Sequence, residues 1–375
     1  MSEGVKMDIP PMSFGDEIGP DKILVLRQPK VGLQAIVVVD NVACGPAIGG
    51  VRMAPDVSLQ EVFRLARAMT FKNAAAGLPH GGGKSGIIAS PAVDQKQKEK
   101  LIRTFARMIR DFVEYVPGPD MGTDETSMAW MKDEIDRAVG LPRVLGGIPL
   151  DEIGATGFGI AVAGEMAAKA VGLELEGARV AVQGFGSVGK HSARFLVERG
   201  ARLVAVSDSR GAIQNPKGLD VNALANHKKG GASVNTFPHG QSMEQDALVG
   251  VDCDIWIPAA RPDVLTEKNV SKLKAKLVLQ GANIPATESA EAWMHQHGIL
   301  NIPDFIANAG GVICAWVEYS GGSERQALAA IEEKVRMNTL EMLERAERRN
   351  ISPRAAALEM ARRRVDEAMT YRRSG

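Results

Sequence analysis

Residues 179–208 constrain the fold more than any other stretch. Arg179–Gln183 reads as a short apolar strand, and Gly184-Phe185-Gly186-Ser187-Val188-Gly189 as a tight turn. A helical stretch runs on to Arg199, and RLVAVSD is a second strand ending on Asp208. A G-x-G-x-x-G alone is a weak signal. Between a strand and a helix, with an acid nineteen residues beyond its last glycine, it marks a dinucleotide-binding βαβ unit. The first glycine permits the turn, the second lets backbone approach a pyrophosphate, and the third lets helix close on strand. The positive helix N-terminus then receives the phosphates. Asp208, with Ser209 beside it, would accept hydrogen bonds from the adenosine ribose and repel a 2′-phosphate, which favours NAD. Arg210 could instead hold that phosphate, so NADP stays open.

At 375 residues the chain is long for one domain, and two are expected. Short apolar runs recur at DIWIP, KLVLQG and ILNIP between helical stretches, the pattern of a parallel, doubly wound sheet. The expected class is α/β. An N-terminal α/β substrate and oligomerisation domain occupies residues 1–149, and a Rossmann-like dinucleotide-binding domain residues 150–335. C-terminal helices over about 336–375 pack back on the first domain. In the first domain Ala35–Val39 reads as a strand and CGPAIGGVRMAP as a loop. A helix starts at Ser58 with a capping-box pattern to Glu61, a second helix runs from Leu101 to about Tyr115, and VPGPD reads as a turn.

Charge and cysteine usage exclude several classes. Lys+Arg 45 balances Asp+Glu 45, which gives no support to a nucleic-acid partner. The Arg-rich C-terminal end has interleaved acids and reads as a solvated or inter-subunit helix. No apolar run reaches the ~18 residues of a membrane span. Cys44, Cys253 and Cys314 are far apart and the N-terminus lacks an apolar leader, so a reduced, cytoplasmic setting is expected, with no metal site.

Two lysines stand out. Lys72 falls in an apolar seam of the helix after Ser58, made by Val62, Leu65, Met69 and Ala76. An inward lysine is costly unless paired, although one that snorkels to the edge is the commoner case. Twelve residues on, Pro79-His-Gly-Gly-Gly-Lys-Ser-Gly86 reads as a glycine-packed loop presenting Lys84, where desolvation can bring a lysine toward neutrality. Asp120 supplies a carboxylate able to exchange protons, and His80 reads as a turn residue.

GLPHGGGKSGIIASP (residues 77–91) resembles the active-site signature of the glutamate/leucine/phenylalanine/valine dehydrogenases. CGPAIGGVRM, FKNAAAGLP, PGPDMGT, ATGFG, VAVQGFGSVG, DIWIPAA, QGAN and PDFIANAGGV follow the same family's order over roughly residues 30–320. The resemblance implies reversible oxidative deamination of an L-amino acid to a 2-oxo acid and ammonia, with hydride passing to the nicotinamide. By that resemblance Lys84 activates the attacking water, Asp120 shuttles protons and Lys72 pairs with the substrate α-carboxylate. Asn308 lies near substrate and nicotinamide ribose, and Thr156 near the carboxamide. Ala259, Ala260 and Asn283 complete the cofactor set, and homo-oligomers, hexamers or octamers, are implied.

For the substrate side chain, glutamate members carry a lysine where this chain has Ile48, and usually a serine where it has Ala315. Both polar anchors are replaced by apolar groups, and an unpaired side-chain carboxylate there would cost several kcal/mol. Gly49, Met53 and Val312 are read as further pocket wall, with small Gly118 and Ala315 leaving room. An apolar L-amino acid is the leading substrate class. A glutamate dehydrogenase with a rearranged pocket is second, supported by PGPDMGTDETSMAWM and VSDSRGAIQNP, which resemble the glutamate branch. A non-catalytic amino-acid-binding subunit is third, and the presence of Lys84 and Asp120 weighs against it.

Overall fold

In the computed structural model, which describes residues 15–372, the chain divides into two compact units. One comprises the described residues up to Ile148 together with those from Ala361 on, and the other Pro149–Met360.

The first unit is built on β1 (Lys22–Gln28), β2 (Leu33–Asn41), β3 (Ala47–Ala54), α1 (Leu59–Ala75), β4 (Gly81–Ile88), α2 (Gln95–Met108), β5 (Tyr115–Pro119) and α3 (Glu125–Ile135). The strand order is β1-β2-β4-β3-β5; β1 and β2 pair antiparallel, β2 and β4 antiparallel, and β3 lies parallel to both β4 and β5. Alternate residues of β2 serve two cores. Leu33, Ala35, Val37 and Val39 pack with Ile102, Phe105, Met128 and Met131 of α2 and α3, and Ile36 and Val38 with Leu59, Val62 and Ala66 of α1. The sheet is therefore covered by helices on both faces.

Four sequence expectations change here. GGGKSG is no loop but the central strand β4, and most of CGPAIGGVRMAP is the parallel strand β3. Glycine is used for close approach: a Cβ on Gly82 would lie 2.1 Å from the Thr70 backbone nitrogen, and one on Gly49 1.6 Å from the Gly83 carbonyl oxygen. The VPGP of VPGPD lies in edge strand β5, where Pro117 and Pro119 are tolerated because only one side of an edge strand must pair. The helix before it ends at Met108, short of Tyr115.

α1 begins where expected, with Ser58 Oγ accepting from the Glu61 N–H at 3.2 Å. Its buried stripe is Leu59, Val62, Ala66, Thr70 and Asn73, whereas Leu65, Met69 and Lys72 are half-buried beside it. Two polar residues occupy that stripe because each is satisfied. Thr70 Oγ1 donates to Asp40 Oδ2 at 2.6 Å, and Asn73 Nδ2 to the Gly81 carbonyl at 2.6 Å.

The second unit contains α4 (Leu150–Ile153), α5 (Ala155–Ala170), β6 (Arg179–Gln183), α6 (Ser187–Val197), β7 (Arg202–Asp208), β8 (Gly211–Gln214), α7 (Val221–Lys229), β9 (Gln241–Met243), β10 (Ile255–Pro258), β11 (Leu277–Leu279), α8 (Glu288–Gln296), β12 (Leu300–Ile302), α9 (Asp304–Ala307), α10 (Gly310–Tyr319) and α11 (Glu324–Arg349). Its sheet order is β12-β11-β10-β6-β7-β8-β9, the first five strands parallel and the last two antiparallel. This is the doubly wound sheet expected, extended by an antiparallel edge. α12 (Pro353–Thr370) closes the described chain. Residues 336–360, expected with the first domain, group with the second because α11 packs on α5 and α10. Among the described residues no helix is long and apolar enough to cross a membrane.

Candidate active site and dinucleotide cradle

Lys84 sits on the central strand β4, only 6% exposed. Its Nζ lies 3.1 Å from Oδ1 of Asp120, which follows β5. Arg52 on β3 takes the other oxygen, donating from Nε to Asp120 Oδ2 at 2.8 Å, and its Nη1 reaches Glu61 Oε1 of α1 at 2.5 Å. Gly50 makes room for the pair, since a Cβ there would lie 2.8 Å from the Asp120 Cβ and 3.1 Å from Lys84 Nζ. The Asp120 turn is fixed in turn: its N–H donates to Thr123 Oγ1 at 3.0 Å, and that hydroxyl donates to the Val51 carbonyl at 2.8 Å.

Burial brings Lys84 below the ordinary lysine range, and Asp120 only partly offsets it. For Asp120 burial pushes the carboxyl up, but the Lys84 and Arg52 charges outweigh it and hold the group below the usual carboxylate range. The pair is therefore an ammonium that gives up its proton readily beside an ionised carboxylate, the arrangement needed to move protons at a substrate. Arg52 escaped the sequence reading, and Glu61 was read only as a helix-capping residue. The clue available was an arginine two residues past Gly50 on what proves to be a strand, hence on the same face.

Ile48, 6% exposed, alternates with Gly50 and Arg52 and so shares their face of β3, the face on which Lys84 and Asp120 meet. Met53 is a correction. The same alternation puts it on the opposite face, fully buried in the core with Phe105 and Met128, so it is no pocket wall. The space beside Gly118 is taken by Val139, whose Cγ2 would stand 3.0 Å from an added Cβ. The Gly49 carbonyl accepts from the buried Tyr115 hydroxyl at 2.9 Å. Lys72 lies half-buried in the last turn of α1.

In the second unit the glycine turn has the required geometry. Gly184 has φ +94°, and a Cβ on Gly189 would lie 1.9 Å from the Gly184 carbonyl oxygen. A Cβ on Gly186 would meet nothing within 4 Å, so open space faces the N-terminus of α6, which carries no side-chain cap. Ser187 Oγ donates to Asp151 Oδ1 at 3.0 Å, and Val188 is half-buried in the first turn. A cavity of about 710 Å³ is lined by Phe185, Gly186, Ser209, Ala259, Ala260 and Asp208 among others. These residues fit a dinucleotide.

Asp208 differs from its expected role. Its Oδ1 already accepts from the Arg210 N–H at 2.9 Å and Ser233 Oγ at 2.8 Å. Its Oδ2 accepts from Lys228 Nζ at 2.9 Å and the Val234 N–H at 3.0 Å. Burial raises its pKa, but these donors outweigh that and bring it to about 2. The carboxylate is thus neutralised by Lys228, a cavity-lining residue on α7 that no local motif announces. Arg210 donates instead to the Gly231 carbonyl at 2.9 Å.

Asn308 and Asn283 are brought together: Asn308 Nδ2 donates to Asn283 Oδ1 at 3.1 Å and to the Gly281 carbonyl at 3.2 Å. Thr156 Oγ1 abuts the first turn of α10, 3.2 Å from the position of a Cβ on Gly311. Val312 and Ala315 are half-buried one turn apart on that helix. The loop carrying Asn283 is held by Arg354 of α12, which the sequence did not single out. Arg354 Nε donates to Glu291 Oε2 at 2.6 Å, and its Nη2 to Gln280 Oε1 and Asp304 Oδ1, both at 2.9 Å. Asp304 Oδ2 then accepts from the Ile284 N–H at 2.9 Å, holding Ile284 at φ +48°.

Two family profiles match: Glu/Leu/Phe/Val dehydrogenase, dimerisation domain, over residues 20–137, and Glutamate/Leucine/Phenylalanine/Valine dehydrogenase over 146–373. An NADP-specific glutamate dehydrogenase of Saccharolobus shibatae is 39% identical, covering 88% of this chain and 83% of that protein. An NAD-specific glutamate dehydrogenase of Staphylococcus aureus is 37% identical, covering 88% and 84%. The crystal structure of the hetero-hexameric glutamate dehydrogenase of Thermus thermophilus in its Leu-bound form superposes with a TM-score of 0.84 at 31% identity. It covers 95% of this chain and 91% of that one.

Two predictions follow from the cradle. Arg354→Met leaves Glu291 and Asp304 without their cation and should lower the unfolding free energy of the chain by about 3 kcal/mol in denaturant titrations. A loss under about 1 kcal/mol would show that the network is dispensable. Lys228→Ala exposes the Asp208 charge to the cavity, so the ratio of kcat/KM with NAD to that with NADP should rise by roughly tenfold. An unchanged ratio would show that Lys228 has no bearing on cofactor choice.

Proposed function

The chain belongs to the Glu/Leu/Phe/Val dehydrogenase family and is an NAD(P)-dependent amino-acid dehydrogenase; within that frame we propose that it deaminates L-amino acids with apolar side chains, using NAD in preference to NADP. The observation that carries the reading is Ile48, a buried apolar residue on the face of β3 where Lys84 and Asp120 meet. A substrate ending in a carboxylate would meet no cation at that position, whereas an alkyl or aromatic group would bury apolar surface. Glutamate is the second reading, favoured by the names of the relatives.

On this proposal Lys72 holds the substrate α-carboxylate. Lys84, disposed by burial to lose its proton, takes one from the water that attacks the substrate imine. Asp120, 3.1 Å away, passes protons to and from the substrate nitrogen as ammonia leaves. Bound NAD would accept the hydride from the substrate Cα. Asn308, Asn283 and Thr156 would hold the nicotinamide end, and the 184–189 turn the phosphates. We read the protein as a cytoplasmic homo-oligomer, a hexamer or octamer. The dimerisation-domain match and the hetero-hexameric assembly named for the Thermus thermophilus protein support the oligomer alone.

A panel of L-amino acids with NAD and NADP, read by absorbance of the reduced nicotinamide, tests the proposal. Leucine, methionine or phenylalanine should exceed L-glutamate in kcat/KM, and strong selectivity for L-glutamate would overturn the substrate assignment. Lys84→Ala should lose roughly 10²–10⁴-fold in kcat while still binding NAD; near-normal turnover in the folded variant would remove Lys84 from the chemistry. Ile48→Lys should lower activity with leucine, because a buried ammonium without a partner is unfavourable, and move the preference toward L-glutamate. An unaltered side-chain preference would show that Ile48 does not line the pocket.

A further inference from the structure

Glu61, Arg52, Asp120 and Lys84 form a line of alternating charge drawn from α1, β3, the turn after β5, and β4. Each oxygen of Asp120 has its own cation: Oδ1 faces Lys84 at 3.1 Å and Oδ2 receives Arg52 Nε at 2.8 Å. A carboxylate held on one side only could rotate about its last bond and present either oxygen to the lysine; held on both, it presents one. The guanidinium is itself held, because a separate nitrogen, Nη1, binds Glu61 Oε1 at 2.5 Å. Two carboxylates on different elements are gripped by one planar fork, a task an ammonium cannot perform with the same geometry. Glu61 stands at the third residue of α1 with its N–H on Ser58, so helix capping fixes the far end of the line.

We propose that Arg52 is the positioning residue of the Lys84–Asp120 pair, fixing which Asp120 oxygen faces the lysine, with Glu61 as the anchor of its guanidinium. The inference rests on the reading of Lys84 and Asp120 as the proton-handling groups. The charge of Arg52 also bears on both groups in one direction, favouring the Asp120 carboxylate and disfavouring the Lys84 ammonium, while Glu61 acts oppositely on Lys84. The other ionisable groups on the elements packed here are the exposed Arg64, Arg67, whose guanidinium is taken by Asp16 and Asp40, and Lys72 in the last turn, all on α1, and Tyr115 of β5. The Tyr115 hydroxyl, pushed up by burial, is shared with Ser85 Oγ at 2.9 Å and the Gly49 carbonyl.

The test is kcat/KM against pH for the preferred L-amino acid with NAD, whose ascending limb follows loss of the Lys84 proton. Arg52→Gln removes a cation near the ammonium, so the limb should move to higher pH by about one unit while kcat falls roughly 10–100-fold. Glu61→Gln removes an anion and should move the limb to lower pH. Arg52→Lys should return the limb close to wild type but leave kcat low, because charge is restored without the fork. A fall in kcat for Arg52→Gln with an immobile limb would overturn the proposal, as would movement of Arg52→Gln and Glu61→Gln in the same direction. Should Arg52→Gln fail to fold, the sign of the Glu61→Gln shift decides by itself. Lys84→Ala serves as the control: retained activity there defeats the reading of the pair, whereas lysine-dependent activity with an immobile limb defeats only the role of Arg52.

Discussion

The first unit is organised around a lysine kept almost dry on the central strand of a sheet. A desolvated ammonium is costly, and the structure answers that cost with Asp120 at 3.1 Å. Much of the local architecture can be traced to that one contact. Asp120 must lie beside β4 although one strand separates β5 from it in the sheet order. Gly50, on the intervening strand β3, supplies the missing volume between them. The glycines of β3 and β4 have the same origin. They let α1 and the neighbouring strands close on the site so tightly that any Cβ at Gly82 or Gly49 would overlap backbone.

Close packing alone would leave a buried carboxylate and ammonium free to exchange their proton internally. The second cation, Arg52, biases that exchange toward the ion pair by stabilising the carboxylate, and burial opposes it by disfavouring the ammonium. A pair balanced between those two influences can change protonation state with little reorganisation, which is what catalysis by proton transfer requires. The second unit uses the same physics for a different end. Asp208, likewise at a strand end, has four protein donors and is held ionised at about pKa 2, so it serves as a fixed anchor of the cavity wall and not as a titrating group.

Legibility in the sequence followed the range of the interactions. The 184–189 turn, its flanking strands and the capped start of α1 were readable because each is specified within a few residues. Lys84 and Asp120 could be nominated from their glycine-rich and proline-rich surroundings. That those surroundings are strands could not be read, since glycine and proline lower strand propensity and only tertiary close approach overrides it. The missed residues all act across long sequence gaps: Arg52 on Asp120, Lys228 on Asp208, Arg354 on Asp304. Met53 was misplaced for want of a strand assignment, since one step of alternation separates the site face from the core face. The inward stripe of α1 was misjudged because Thr70 and Asn73, counted as polar, are buried through hydrogen bonds.

Charge balance links the Ile48 position to the substrate proposed. Glu61, Arg52, Asp120 and Lys84 sum to zero when Lys84 is protonated, so the line needs no ligand to complete it. An amino acid with an apolar side chain adds one carboxylate to this face, and Lys72 is the cation assigned to it. A lysine at position 48 would leave one further positive charge that only a second substrate carboxylate could neutralise. The site would then be penalised whenever that carboxylate was missing. With isoleucine the penalty reverses sign: a second carboxylate would be desolvated with no partner, while a hydrocarbon side chain displaces water from a surface that is already apolar. On the substrate reading proposed, side-chain selection on this face would depend less on an attractive contact for the chosen substrate than on the absence of a counter-charge for the rejected one.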